Sequence, residues 1–363
     1  MMESAWVYVS LSSENTSKLR QQMKYDVTIG IPVYKSVDYV QRSIDSALKQ
    51  TYSSIEFLII DDCGADGSIE IVERMKAEHH RGRDIRIIKH EQNKGVAASR
   101  NRIIDEASGE FLYFMDSDDV IAENTIELMM QYAHQFDAEI VFGSYEKIEI
   151  TGEKIVYQYP DMQLFGEDEL ASFAYRKYAG TQASACNFLV NTSLLREHHH
   201  RFINTDYWED LAFTFDLVTM VKRAVLLPNI TYTYLCRNDS LSHYQERKQF
   251  SKDEILRNIH TIDHLKKTSS ILCNKVYFPN RCYNILMTDF YIVCNILKNK
   301  DKIQPAFSKR ELRDVMKSPL TFKETVSLKS RKFENLFLYM LGVLPPSISI
   351  WIITILGKHR GLV

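Results

Sequence analysis

The sequence predicts an α/β fold, in which helices flank a mostly parallel sheet, followed by a helical C-terminal region. Short apolar runs of strand length alternate with segments of helical periodicity between residues 25 and 120. Three of the four runs end in turns that carry polar side chains. Beyond residue 245, segments with aliphatic stripes at helical spacing follow one another. Together these observations favour one α/β domain with a helical extension.

The predicted elements succeed one another closely in the first 120 residues. Strands are expected at 27–33, 55–60, 85–89 and 110–115, and helices at 37–48, 69–75 and 96–107. Asp66 is the expected cap of the second helix. Farther along the alternation weakens. Strands are expected there at 138–145 and 231–235, and helices at 166–178, 211–221, 251–267 and 283–297.

Length and composition indicate a folded, soluble protein. The 363 residues are 45% apolar and 25% charged, which is typical of a chain with a sizeable core. A net charge of −2 predicts no nucleic-acid partner. The six cysteines are scattered without zinc-type spacing and are expected to be reduced thiols. With no signal peptide and no long apolar run, a cytoplasmic location is expected.

The chain divides into three predicted parts. Residues 1–24 are polar and without periodicity, and we expect a loosely ordered leader. Residues 25–245 form the main domain, with halves at 25–120 and 121–245. Residues 246–363 form the helical region, which contains the apolar tail 336–356.

Two interpretations of the apolar tail remain open. The tail is interrupted by Pro345-Pro346, and the part from Ile348 to Leu356 is too short to span a bilayer. Basic residues flank it: Lys323, Lys329, Arg331, Lys332, Lys358, His359 and Arg360. Such a segment suits a helix lying on anionic lipid at the inner membrane face. It equally suits a terminal helix packed on the core or on a second subunit.

Polar side chains follow three of the predicted strands, in Pro32-Val-Tyr34, Asp61-Asp62 and Asp116-Ser-Asp-Asp119. Ligands of parallel sheets bind beyond the carboxyl ends of the strands, so these turns are expected to share one edge. The carboxylates of Asp116-Ser-Asp118 suit Mg²⁺ or Mn²⁺ bound together with a diphosphate. The alternative is an acidic turn that caps the next helix, for which Asp119 is the better candidate.

Two further polar groups are candidates for nucleotide contacts. Asp62 suits a base or ribose, although it could instead be a turn residue that bonds its own backbone. Asn93-Lys-Gly95 opens a helix whose N-terminus favours anions, and Arg100 on its second turn could reach a base or phosphate. A plain surface arginine is the alternative for Arg100.

Two segments of the second half carry candidate chemistry. A carboxylate in Glu209-Asp210 could take the proton of a hydroxyl nucleophile, or Asp210 could cap the helix that follows. In the segment 237–243, His243 could bind a metal and Arg237 could hold a phosphate, with a plain loop as the alternative.

These motifs in this order resemble the family 2 glycosyltransferases of the GT-A fold, over roughly residues 25–245. The matching segments are Thr28-Ile-Gly-Ile-Pro-Val-Tyr34, Ser46-Ala-Leu-Lys-Gln-Thr51, Ile59-Ile-Asp-Asp62 with Gly64-Ala-Asp-Gly-Ser68, Asn93-Lys-Gly95 with Ser99-Arg-Asn101, Gly109-Glu-Phe-Leu-Tyr-Phe-Met-Asp-Ser-Asp-Asp119 and Trp208-Glu-Asp210. The resemblance implies transfer of a hexose-type sugar, with inversion, from a nucleotide diphosphate such as UDP. The acceptor would be a hydroxyl of a glycan or lipid-linked molecule in bacterial surface-glycan assembly.

The resemblance also implies a role for individual residues, with the nucleotide in the half 25–120 and the acceptor in the half 121–245. They are Pro32, Tyr34, Asp62, Arg100 and Asp116 for the nucleotide; Asp118 and His243 for a divalent metal, Mn²⁺ or Mg²⁺; Glu209 and Trp208 for the acceptor; and Asp210 as catalytic base. Lys35 departs from the family pattern where Asn is frequent, and Cys63 where Gly or a small polar residue is frequent. No pattern is assignable in 180–187.

Three other functions are weighed against this one. A nucleotidyltransferase would need a glycine-rich, basic loop near the first strand, and this chain has only Lys35 there. An NAD-dependent oxidoreductase would need a GxGxxG motif after that strand, which is missing. A non-catalytic nucleotide-sugar-binding protein of the same fold would be favoured by loss of a carboxylate, yet both acidic motifs are complete.

Overall fold

The apolar runs of the sequence form a ten-stranded sheet in the computed structural model, which describes residues 24–176, 181–205, 208–237 and 249–363. The sheet strands are β1 (Tyr25–Val33), β2 (Ile55–Asp61), β3 (Ile85–Lys89), β4 (Gly109–Phe114), β5 (Val120–Ile121), β6 (Ile140–Ile148), β7 (Lys154–Tyr157), β8 (Met162–Phe165), β9 (Phe188–Asn191) and β10 (Arg223–Leu235). All seven residues of β2 are buried, as expected of a parallel strand covered on both faces.

The first half of the sheet is parallel and contains a reversal of strand order. The order is β3-β2-β1-β4, so the chain winds outward from β1 and then crosses back to β4 on the other side of β1. In register, Val33 lies beside Asp61 and Gly30 beside Phe114. Open parallel sheets bind ligands at such a reversal, outside the carboxyl ends of the strands. The turns after β1 and β4 therefore border the crevice where a ligand is expected.

Beyond β4 the sheet is mixed. The order continues β9-β6-β10-β5, with β7 added to β6 and β8 added to β10. The short strand β9 runs antiparallel to both β4 and β6, while β10 is parallel to β6. The α/β class is as predicted, but only the first half of the sheet is entirely parallel. Periodicity identifies a strand but not its direction, which depends on the connection that leads into it.

Helices pack on both sides of this sheet because each carries one apolar face. In the first of them, Val40, Ile44, Ala47 and Leu48 are buried at the spacing of a single helical stripe. The helices are α1 (Val40–Leu48), α2 (Ser68–Glu78), α3 (Val96–Glu106), α4 (Thr125–Phe136), α5 (Glu169–Arg176), α6 (Thr192–Glu197) and α7 (Glu209–Leu217). Asp66, the expected cap of α2, lies one residue before the N-cap position, which Gly67 occupies, and its carboxylate accepts a hydrogen bond from the Ser68 amide at 3.2 Å.

A second hydrophobic core belongs mainly to the helical C-terminal region. Its helices are α8 (Lys252–Ser269), α9 (Phe278–Lys298), α10 (Lys309–Val315), α11 (Phe322–Ser327), α12 (Lys332–Val343) and α13 (Pro346–His359), and a two-stranded pair joins β11 (Phe250–Ser251) to β12 (Ile303–Gln304). The apolar tail is divided between α12 and α13. Among the described residues, no helix is both long enough and apolar enough to cross a bilayer.

A buried arginine joins the two cores. Arg281 on α9 is fully buried, and its guanidinium lies 2.5 Å from Asp216 in the last turn of α7. It also donates to the Tyr175 hydroxyl at 2.6 Å and to the Ser269 hydroxyl at 2.8 Å. The C-terminal end of α7 is therefore fixed to the helical region by a charge pair with several hydrogen bonds.

Replacing this arginine should destabilise the protein strongly. In Arg281→Met the buried Asp216 carboxylate loses its closest counter-charge and keeps His264, 3.7 Å away, and the expected loss is about 3–5 kcal/mol of unfolding free energy. Denaturant titration followed by circular dichroism measures it. The matched control is Arg83→Met, because the Arg83 side chain is 87% exposed. A midpoint for Arg281→Met equal to that of the control would contradict the assigned role.

Candidate active site

The turn after β4 gathers three carboxylates. Ligand oxygens of Asp116, Asp118 and Asp119 lie within 4.8 Å of one another. Helix α1 holds the backbone of this turn, because the Ser43 hydroxyl donates to the Asp116 carbonyl at 3.0 Å and Arg42 donates to the Asp118 carbonyl at 3.2 Å. Ionised carboxylates at this distance repel one another, so a bound cation would stabilise their charged forms.

Asp119 does not cap a helix, and the sequence-based preference for it as a cap was wrong. The next element is β5, and the buried Asp119 carboxylate instead accepts hydrogen bonds from the Tyr232 hydroxyl at 2.7 Å and the Leu235 amide at 2.9 Å. Burial raises the pKa of Asp119 well above its usual range, and its two acidic neighbours raise it further. Asp119 thus fastens the turn to β10.

The oxygen donors of this cluster fit a hard divalent cation such as Mg²⁺ or Mn²⁺. Asp118, the predicted metal ligand, also lies 2.9 Å from the Arg237 guanidinium, which stacks 4.8 Å from the centre of the Tyr39 ring. The segment that follows β10 therefore places a positive charge beside the acidic turn. His243, the other predicted metal ligand, lies outside the described residues, and its role stays a prediction.

Arg100 connects this turn to α7. Its side chain is buried, with 3% exposed, and its guanidinium donates to Asp116 at 2.8 Å, to Glu209 at 2.9 Å and to Asp210. The guanidinium also lies 5.5 Å from the centre of the Phe202 ring. Burial disfavours the charge of Arg100, but Asp210 and Asp116 outweigh it and raise the pKa. Arg100 is thus no surface residue, and its direct contact with a nucleotide stays a prediction.

Glu209 and Asp210 occupy the first turn of α7 without capping it. Trp208 holds the N-cap position with no side-chain hydrogen bond to the helix. The Asp210 carboxylate accepts a hydrogen bond from the Ala185 amide as well as from Arg100. The alternative that Asp210 is a helix cap is therefore excluded. Its side chain remains 23% exposed, so part of the carboxylate is open to a ligand.

The pKa values of the two carboxylates of α7 are both raised, mainly by burial. Burial, followed by the charge of Asp210, raises the pKa of Glu209 to about 7, although Arg100 opposes the shift. Burial also raises the pKa of Asp210, again against the effect of Arg100. A carboxylate whose pKa moves towards neutral pH becomes a stronger base.

The Asp62 carboxylate is hydrogen-bonded within the protein. It accepts hydrogen bonds from the Lys94 amide at 2.8 Å and the Gly95 amide at 2.9 Å, and lies 2.8 Å from His90 Nδ1. The anion expected at the N-terminus of α3 is thus the Asp62 side chain itself. Because only 3% of this side chain is exposed, a contact with a nucleotide base stays a prediction.

The loops after β1 and β2 adopt unusual backbone conformations. Lys35 and Cys63, which depart from the family pattern, both have left-handed φ angles, 47° and 57°. The loops pack so closely that a Cβ added to Gly64 would lie 2.6 Å from the Lys35 amide nitrogen. Pro32 sits at the end of β1, and the Tyr34 side chain is 44% exposed beside it. The predicted pocket for a nucleotide ring is therefore shaped by tight turns.

Trp208 is a predicted acceptor residue, and this role stays a prediction. Its side chain is 36% exposed and lines a cavity of about 280 Å³ between α7 and the helical region. Phe250, Tyr291 and Leu362 also line this cavity. Trp208 has a left-handed φ of 66°, which turns the chain sharply into α7.

The structure brings Asp116, Asp118, Arg100, Glu209 and Asp210 into one linked charge network. Asp62 lies after β2, at the same sheet edge as the acidic turn. Sequence reasoning missed the Ala185 amide and the Tyr232 hydroxyl. Ala185 falls in the stretch 180–187, which carries no assignable pattern, and Tyr232 lay in a predicted strand with no sign of its partner.

Comparisons with known proteins find similarity to glycosyltransferases. Residues 28–198 match the model of the family described as "Glycosyl transferase family 2". A Haemophilus influenzae protein described as an uncharacterized glycosyltransferase is 30% identical over 200 residues, covering 55% of this chain and 74% of that protein. An Escherichia coli protein described as UDP-Glc:alpha-D-GlcNAc-diphosphoundecaprenol beta-1,3-glucosyltransferase WfgD is 34% identical over 124 residues, covering 34% of this chain and 47% of that protein.

Among solved structures, Staphylococcus aureus TarS in complex with UDP-GlcNAc is similar in fold. The TM-score is 0.63 at 14% sequence identity, covering 93% of this chain and 92% of the TarS chain. The similarity extends over both the sheet domain and the helical region.

The raised pKa of Glu209 predicts a pH dependence of stability. Between its ordinary value of 4.5 and about 7, the folded protein retains a proton that the unfolded chain loses. Stability attributable to this group therefore falls as pH rises through this window and stays low above it. The unfolding free energy of Glu209→Gln minus that of wild type should therefore be larger at pH 8 than at pH 4.5, by on the order of 1–3 kcal/mol.

Denaturant unfolding of the ligand-free protein at several pH values checks this expectation. Glu73→Gln, at an exposed position of α2, is the matched control. A difference between Glu209→Gln and wild type that is constant across the window would contradict the assignment.

The left-handed conformation of Lys35 predicts a stabilising substitution. Asn tolerates this region better than Lys, so Lys35→Asn should gain about 0.5–1 kcal/mol of unfolding free energy. Both Lys35→Asn and Lys35→Ala remove the contact of Lys35 Nζ with the Tyr34 ring, whose centre lies 5.3 Å away. Ala lacks the tolerance of Asn for the left-handed region, so Lys35→Ala serves as control. The difference between the two unfolding midpoints is the measurement, and equal midpoints would refute the account of strain.

Proposed function

Because the chain belongs to glycosyl transferase family 2, and is a glycosyltransferase of the surface-glycan type, we propose that it transfers a hexose-type sugar from a UDP-sugar to a hydroxyl acceptor with inversion. The observation that carries the proposal is the Arg100 network. It places the predicted base, Asp210, beside the acidic turn that would face the donor diphosphate. A base and a charge-stabilising group on opposite sides of one sugar are what direct displacement requires.

In this mechanism Asp210 takes the proton of the acceptor hydroxyl. The hydroxyl oxygen forms a bond to the anomeric carbon while the bond from that carbon to the diphosphate oxygen breaks on the opposite face. Arg100 and the Ala185 amide hold the Asp210 carboxylate, and its raised pKa makes it a better proton acceptor. Glu209, next to it, would orient the acceptor, with Trp208 offering an exposed ring to a sugar face.

We propose that Asp116 and Asp118 hold the divalent cation, with Asp119 fixing the turn that presents them. When bound, a cation such as Mn²⁺ or Mg²⁺ neutralises the charge that develops on the leaving diphosphate. Arg237 beside Asp118 supplies a second positive charge at the same place. Tyr34, exposed at the strand-order reversal, is suited to contact the nucleotide base.

The donor and acceptor classes are supported by the named relatives. TarS is described in complex with UDP-GlcNAc, and the E. coli relative is named for UDP-Glc and a diphosphoundecaprenol-linked sugar. We therefore propose a UDP-sugar donor and a glycan or lipid-linked acceptor. Such an acceptor would place the protein peripherally at the inner membrane face.

Substituting the two predicted key carboxylates tests the proposal. Asp210→Asn and Asp118→Asn should each lower transfer by at least about 100-fold while circular dichroism stays unchanged. The measurement is release of UDP from UDP-sugars with Mn²⁺, with and without acceptor extract. Asp253→Asn, at an exposed position of α8, is the control.

Two results would contradict this proposal in different ways. Near-normal turnover of Asp210→Asn would refute the assigned base. Metal-dependent binding of UDP by calorimetry, with no hydrolysis or transfer by the wild-type protein, would instead favour a non-catalytic nucleotide-sugar-binding protein.

A further inference from the structure

The last two helices expose a set of large apolar side chains, which we call the hairpin face. Its members are exposed large apolar side chains: Phe333, Phe337, Met340, Val343, Ile348, Trp351 and Ile355. Phe333 is 79% exposed and Trp351 is 64% exposed. Exposed apolar side chains in this number, two of them largely exposed aromatic rings, mark an interaction surface.

The hairpin face consists of one stripe on each helix. On α12 the exposed positions recur every three or four residues from 333 to 343, and on α13 from 348 to 355. The opposite stripes are buried in the second core, through Leu338 and Leu341 on α12 and Ile350 and Ile353 on α13. The fold thus anchors the hairpin firmly while leaving its outer side apolar.

Positive charge is concentrated at one end of the hairpin face, where α12 begins and α13 ends. Residues 329–360 contain five Lys and Arg residues against a single Glu, whereas the whole chain has a net charge of −2. Lys332, Lys358 and Arg360 are exposed at the ends of the two helices. Arg360 also lines an apolar groove of about 330 Å³ together with Phe333 and Phe337. Cations and aromatic rings therefore lie side by side.

We propose that the hairpin face binds the surface of a bilayer that contains anionic phospholipid. Aromatic and aliphatic side chains enter the boundary between headgroups and acyl chains, while the Lys and Arg side chains contact the headgroups. The groove beside Arg360 provides an apolar depression for part of an acyl chain. This inference rests on the peripheral membrane location in the proposed function and names the surface that makes the contact. Its test does not require sugar transfer.

Charge favours a bilayer over a second copy of this chain. A two-fold contact would bring the same surface of both copies together, and residues 329–360 supply a single Glu to pair with the five Lys and Arg residues of the other copy. A second copy therefore offers these cations little counter-charge, whereas phosphate headgroups neutralise them.

Co-sedimentation of the full chain with vesicles tests the proposal. Vesicles of phosphatidylcholine and phosphatidylglycerol in equal parts should bind the protein, and high salt or pure phosphatidylcholine should weaken binding. The double variant Phe333→Ser with Trp351→Ser should lower the bound fraction at least about tenfold. Brominated lipid should quench the fluorescence of wild type more than that of Trp351→Phe.

The matched control is Ile271→Ser with Val276→Ser, since these residues are 84% and 78% exposed but lie outside the hairpin face. An equal loss of binding in the control, or no binding of wild type to anionic vesicles, would overturn the proposal. The proposal would also be overturned if wild type did not bind vesicles but formed a dimer in sedimentation velocity, and the Phe333/Trp351 double variant were a monomer. Loss of transfer in Asp210→Asn with vesicle binding intact separates this inference from the proposed function.

Discussion

A single buried guanidinium holds the candidate active site of this protein together. Arg100 is withdrawn from water, and a charge in that position is tolerated only with counter-charges in hydrogen-bonding contact. It obtains them from Asp116 after β4 and from Glu209 and Asp210 on α7. The carboxylates in turn would repel one another without Arg100. The ion cluster therefore fixes the turn after β4 relative to the first turn of α7.

The local part of this arrangement was predictable from the sequence, and the long-range part was not. Buried parallel strands are nearly continuous apolar runs, so β1 to β4 and the acidic turn after β4 were found within one or two residues. The partners of Arg100 on α7 lie more than a hundred positions away. Asp119 shows the same difficulty. A carboxylate in a turn can cap the next helix or accept a hydrogen bond from a distant strand, and the sequence does not show that β10 lies beside this turn. Lys35 and Cys63 stood out as departures, but their shared left-handed backbone became visible only in three dimensions.

The helical region takes part in the architecture of the site rather than merely following it. Helix α7 carries Glu209 and Asp210 at one end and Asp216 at the other, so it is held by Arg100 from the sheet domain and by Arg281 from α9. Trp208 faces a cavity shared with the same region. The hairpin of α12 and α13 rests on that core, which connects a basic, aromatic outer surface to the helix that bears the predicted base.

The pairing of Asp216 with Arg281 has a consequence for the way such proteins diversify and can be recombined. The two residues lie on either side of residue 245, where the sequence alone would separate the domains. A hybrid spliced at that position from two relatives inherits the acid from one parent and the guanidinium from the other. Unless both parents keep this pair, the splice leaves an uncompensated charge beneath the helix that carries Asp210. A boundary placed ahead of α7 keeps both members of the pair within one parent.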